Sequence, residues 1–128
     1  MKYHPVLRHF VGPVQLQVLL SASRGEEGEH FRAKLDEFAE RCMSMPKVYE
    51  QDGKGLDAIA HLHYFRGGND WYITERDLSD EQLQAFGVAS FLGHEPEQGY
   101  IGVNELIAHG VELDLYFEPT ALRNLPES

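Results

Sequence analysis

The stretch that most constrains the fold is HLHYFRGGNDWYITERD, from His61 to Asp77. Ala60, Leu62 and Tyr64 alternate with His61, His63 and Phe65, and Trp71, Ile73 and Glu75 alternate with Tyr72, Thr74 and Arg76. A period of two on either side of a glycine pair is the pattern of two strands joined by a tight turn. Treating Arg66–Asp70 as a symmetric loop predicts that Phe65 faces Trp71, His63 faces Ile73 and His61 faces Glu75. A slip of one residue would move every side chain to the other face.

The clearest helix lies earlier. Phe31, Leu35, Phe38, Ala39 and Cys42 share one face of a helix over 29–44, which has acidic residues at its start and Pro46 beyond its end. Core packing explains this stripe better than a ligand stack, and a buried Cys42 would be inert. Residues 14–23 alternate as a strand does, yet Pro13 suits a first helical turn and the following chain continues helical. Beyond the polar loop 46–57 and the central hairpin, DLSDEQLQ suggests a short polar helix or turn, with Ser79 as a plausible cap. FGVASFLG suggests a third strand in which Gly87 and Gly93 mark a bend, a bulge or a close backbone approach. Residues 100–103 suggest a short fourth strand, and Asn104 a cap for a small helix over 105–109. From Val111 to Glu118 the alternation is strict: Val111, Leu113, Leu115 and Phe117 one way, Glu112, Asp114, Tyr116 and Glu118 the other. A frayed turn is expected from Pro119 to Ser128.

These elements predict a single α+β domain, an antiparallel sheet of about four strands with the amphipathic helix packed on one face. Residues 1–47 form a mostly helical N-terminal extension and 48–120 the sheet-containing region.

Charge is unevenly placed. Residues 1–43 carry six Lys/Arg and six Asp/Glu, whereas 44–128 carry five and fifteen, so the whole formal charge of −10 lies in the second part. Such a surface repels phosphate backbones, which argues against direct DNA or RNA binding. It is either an ordinary solvated face or one that attracts a basic protein partner. No apolar run approaches the roughly 20 residues that span a bilayer, and the interrupted N-terminus does not resemble a secretory signal. The single Cys42 excludes an internal disulfide framework and a multi-cysteine zinc site. A cytoplasmic protein is expected, and nothing indicates its oligomeric state.

Few patterns carry chemistry. His61 and His63 leave one strand face together, and Glu75 opposite His61 would complete a two-histidine, one-carboxylate metal set. The alternative is a pair of half-buried histidines hydrogen-bonded to backbone or tyrosine. Glu75, Asp114 and Glu118 could act as general acids or bases, as could members of any acidic sheet face. No GxSxG and no GxxxxGK[ST] pattern occurs, so neither a serine nucleophile elbow nor a phosphate loop is expected. No cofactor is expected. Trp71, directly after the turn, and Tyr72 are the aromatic contact candidates. Joined with Glu112, Asp114 and Glu118 they define a hypothetical acidic contact face.

The succession YFRGGNDWYITERD, FGVASFLG, EPEQGYIGVNEL and VELDLYFEP resembles the domain-of-unknown-function family numbered 2958, found in bacterial plasmids, phages and conjugative elements. The positions that carry the resemblance are Trp71, Tyr72, Thr74 and Glu75; Phe86 and Gly87; Glu97, Gly99, Tyr100, Glu105 and Leu106; and Asp114, Leu115, Phe117 and Pro119. It spans about residues 48–120 and leaves 1–47 unexplained. The resemblance implies a mobile-element accessory protein and supplies no catalytic residues. Three functions follow as expectations. The first is a non-catalytic interaction protein with an acidic contact face. The second is an acidic DNA mimic that inhibits a host restriction or CRISPR system. The third is a metal-dependent enzyme using His61, His63 and Glu75.

Overall fold

A computed structural model describes residues 4–126. The fold is α+β. A short 3-10 turn (Pro5–His9) and two helices, α1 (Pro13–Ala22) and α2 (Gly28–Ser44), precede the strands β1 (Ile59–Ala60), β2 (Leu62–Arg66), β3 (Asn69–Glu75), β4 (Ala85–Ser90) and β5 (Glu97–Ile101). Helix α3 (Val103–Ala108) and strands β6 (Glu112–Leu113) and β7 (Thr120–Ala121) complete the order. Five strands form one antiparallel sheet in the order β5-β4-β3-β2-β6, and β1 pairs with β7 in a separate two-stranded sheet. Among the described residues, no helix is long and apolar enough to cross a membrane.

The ambiguous run 14–23 is helical. Leu16 and Leu19 are buried while Val14 and Val18 stand 77% and 61% exposed, which is a period near 3.6 and not 2. Gly12 precedes it and Pro13 opens its first turn, where the missing N–H has no partner to lose. Helix α2 buries Leu35, Phe38, Ala39 and Cys42 on the face expected of it, with Phe31 partly covered. These meet Leu62, Tyr64, Ile73, Ala85 and Leu113 from one face of the sheet, together with Leu7, Phe10 and Val11 from the N-terminal segment. The buried Tyr64 hydroxyl donates to the Phe10 carbonyl at 2.5 Å, so its polar end is satisfied inside this core.

The hairpin register differs from the sequence expectation by one residue. Arg66 pairs with Asn69 around a two-residue turn, Gly67-Gly68, with Gly67 at φ +60°. A two-residue connection with a left-handed first position matches the twist of the strands, which a five-residue loop does not require. Tyr64 therefore faces Trp71, His63 faces Tyr72 and Leu62 faces Ile73. The inner face receives Leu62, Tyr64, Trp71 and Ile73, and the outer face His63, Phe65, Asp70 and Tyr72.

A register shift between Ile73 and Glu75 then places Glu75 opposite Phe86, on the outer side. Gly87, opposite Ile73, is required there: a Cβ would lie 1.9 Å from the Tyr72 carbonyl oxygen.

The last strand is shorter than its alternation predicts. Only Glu112–Leu113 pair with β2, through Phe65 and Tyr64. Asp114 turns the chain, its Oδ1 accepting from the Tyr116 N–H at 3.0 Å. The expected frayed turn after Pro119 is ordered in part, since Thr120–Ala121 pair with Ile59–Ala60; Ser128 lies outside the described residues. Residues 77–84 form no helix. Asp77 Oδ2 instead accepts from the Leu83 and Gln84 N–H groups, while Ser79 Oγ accepts from the Glu81 N–H as expected. Gly102, not Asn104, precedes α3, and the Asn104 Oδ1 is buried with no hydrogen-bond partner.

Candidate functional site

The outer side of β3, β4 and β5 is roofed by the loop 47–57, and beneath it lies a cavity of about 150 Å³. The loop is anchored at its start and at Gln51. Its start is tied to β3 by the Val48 N–H donating to the Arg76 carbonyl and the Arg76 N–H to the Pro46 carbonyl, each at 2.8 Å. Gln51 then works as a staple: its amide donates to the Thr74 and Ile59 carbonyls at 2.7 and 2.9 Å, and its Oε1 accepts from the Ile59 N–H at 2.7 Å. Between these anchors Tyr49 is held at φ +80°, a backbone region that bulky residues rarely adopt. That conformation sends its hydroxyl to the Tyr100 hydroxyl on β5, 2.8 Å away. The hydrogen bond with Tyr49, aided by the nearby Asp52 and Glu75 charges, holds the Tyr100 phenol above its ordinary value.

Glu75 lines this cavity and is 4% exposed. Its Oε1 accepts from the Gln51 N–H at 3.2 Å. Its Oε2 lies 3.3 Å from Thr74 Oγ1, but that hydroxyl is nearer the Phe86 carbonyl, at 3.1 Å, and has one hydrogen to give. Among the described residues no cation lies within ion-pair distance of Glu75. A carboxylate has about four acceptor positions, and these contacts leave some of them free to meet a group entering the cavity.

A second polar cluster occupies the other half of the outer face. His63 Nδ1 lies 2.9 Å from Asp114 Oδ2, and Nε2 lies 2.7 Å from Asp70 Oδ1. The ring stacks on Tyr72 at 4.6 Å and 11°, with Phe117 5.6 Å away. Both ring nitrogens are thus engaged by carboxylates. Burial, then the charges of Asp70 and Asp114, raise the Tyr72 phenol above its ordinary value. This cluster fastens the segment after β6 onto the sheet, a structural role that all its partners explain.

Comparison with known proteins adds no relative. No protein-family model, curated protein or solved structure matches the chain.

The candidates from sequence are dispersed. His61, His63 and Glu75 do not form a metal set, and among the described residues no group of three His, Cys, Asp or Glu is arranged so that it could hold a metal ion. The hairpin register and the β3–β4 shift are together the reason, because the first gives His63 to Asp70 and Asp114 and the second turns Glu75 into the cavity. Burial and the Arg41 charge lower the His61 pKa. Trp71 and Tyr72 are on opposite faces, and Trp71 packs edge-on against Phe91 at 5.7 Å, toward α3. Of the contact-face candidates, Tyr72 and Asp114 meet through His63, while Glu112 borders them as the pair of Phe65. Glu118 stands apart, 3.9 Å from Arg41, which also donates to the Phe117 carbonyl. Cys42 is inert, as its helical position implies: burial pushes its thiol up to about 12 against the opposing pull of Arg76 and Arg41. The residues that sequence reasoning missed are Tyr49, Gln51, Phe86 and Tyr100. Phe86 and Tyr100 carry the family resemblance without any role attached, and Tyr49 and Tyr100 meet across 51 positions.

Proposed function

We propose that this protein is a non-catalytic interaction domain that receives a basic segment of a partner protein. The observation that carries the reading is Glu75, a buried carboxylate that lines a cavity and, among the described residues, has no cation within ion-pair distance. A positive side chain entering from a partner would meet an opposite charge on a wall largely shielded from water, where such an attraction is stronger than at the open surface. Glu50 and Asp52, exposed on the same loop, add negative potential at the mouth. Elsewhere the acidic surface is partly matched internally: Asp36 to His4, Asp57 to Arg123, Asp80 to Arg76. That internal matching favours a local cationic contact over a continuous phosphate-like array. The setting proposed is the cytoplasm of a bacterium carrying a plasmid or phage, from the family resemblance of residues 48–120. Nucleic acid is not proposed as a direct ligand.

The test is titration of the full chain with a lysine-rich peptide and with its glutamate counterpart, at low and high salt. The basic peptide should bind, more weakly as salt rises, and Glu75→Gln should weaken it. Equal binding of the two peptides, or none by the basic peptide at low salt, refutes the reading.

A further inference from the structure

The chemistry of the cavity walls identifies which cation it takes, an inference that rests on the interaction reading above and deepens it. We infer that the Glu75 cavity is a recognition pocket for an alkylated ammonium group, such as a methylated lysine-type head, in preference to a guanidinium. Three features converge. Tyr49, Phe86 and Tyr100 all line the space, and the Phe86 and Tyr100 rings stand edge to face at 5.6 Å and 84°. Aromatic walls attract a positive charge through their negative faces, and they accommodate N-methyl groups that a bare carboxylate would leave unpacked.

The second feature is the acceptor supply. Glu75 is the buried carboxylate of the lining, with Oε1 already engaged by the Gln51 N–H; Asp52 stands exposed at the mouth, and Val48 and Val88 make other parts of the wall apolar. A guanidinium brings five N–H donors in a rigid plane and would leave several unpaired here. An alkylated ammonium brings few or none and asks chiefly for charge and packing. The third feature is size, since a cavity near 150 Å³ suits a group about as large as benzene. The hydroxyl contact between Tyr49 and Tyr100 spans the loop and β5 at the rim and ties the two rings together.

The experiment titrates the full chain with tetramethylammonium, methylammonium and guanidinium chlorides at matched ionic strength, read by backbone amide shifts. Tetramethylammonium should give saturable shifts confined to loop 47–57 and the facing parts of β3, β4 and β5, with affinity about tenfold above guanidinium. Tyr100→Leu, at a half-exposed position that the core does not need, should weaken it about tenfold, and Glu75→Gln by more. Guanidinium binding as well as or better than tetramethylammonium overturns the inference, as does saturable binding untouched by Tyr100→Leu and Glu75→Gln. If the basic peptide binds and tetramethylammonium does not, the pocket assignment falls while the interaction reading stands. If tetramethylammonium binds and the peptide does not, the pocket stands and the protein-partner reading falls.

Discussion

Replacing His63 with alanine isolates the link between the hairpin register and the chain that follows β6. The ring holds Asp70 at 2.7 Å and Asp114 at 2.9 Å and lies flat on Tyr72. Buried charge-assisted hydrogen bonds are worth about 1.5–3 kcal/mol each. Here the histidine is 14% exposed, but the carboxylates are 30% and 29% exposed, so solvent screening reduces each contact. About 1 kcal/mol apiece is appropriate. The lost stack adds about 0.5–1 kcal/mol. A total of about 2.5–3 kcal/mol corresponds to a fall of roughly 8–12 °C in the melting midpoint for a domain of this length. Urea unfolding followed by Trp71 fluorescence would measure it. Asp114→Asn should cost less, and the double variant should show about 1 kcal/mol of coupling. A loss below about 0.5 kcal/mol, or no coupling to Asp114, would refute both the estimate and the fastening role given to His63.

Two further outcomes follow from the packing. Gly87→Ala should be among the most damaging single changes, at least about 3 kcal/mol, because the added methyl meets the Tyr72 carbonyl at 1.9 Å and backbone has to shift. Wild-type stability in that variant would show that the β3–β4 ladder has slack the structure does not display. Cys42 should resist thiol reagents in the folded protein and react only at the rate of opening, since its thiol sits near 12 against an ordinary 9.0. The sign for stability is fixed by the raised value. The contribution is complete below about pH 9 and lost as pH climbs toward 12, which alkaline unfolding of wild type against Cys42→Ala would measure.

Much of the architecture was legible from residue order because it is written in short-range periodicity. Phe38, Ala39 and Cys42 recur as a helix face whatever they pack against, and the hairpin announces itself by alternation around two glycines. The Gly87 expectation was right for a reason visible in sequence, a glycine amid bulky strand residues. The last strand misled because alternation from Val111 to Glu118 describes which side chains are wet and not whether the backbone is paired. Asp114 captured its own downstream N–H and ended the ladder at Leu113. The candidate site was almost illegible, since Tyr49, Glu75 and Tyr100 come from a loop and two strands.

What residue order determined by itself was the class of fold, the buried helix face and the presence of a strand pair, all set by interactions within a few positions. Tertiary structure decided the register, and with it the fate of each candidate ligand. A two-residue turn sent His63 to two aspartates, and a shift in the β3–β4 ladder sent Glu75 beneath a loop. Side chains in a sheet change face at every residue, so single steps of pairing, fixed only by closing the turn and the core together, kept His63 and Glu75 apart.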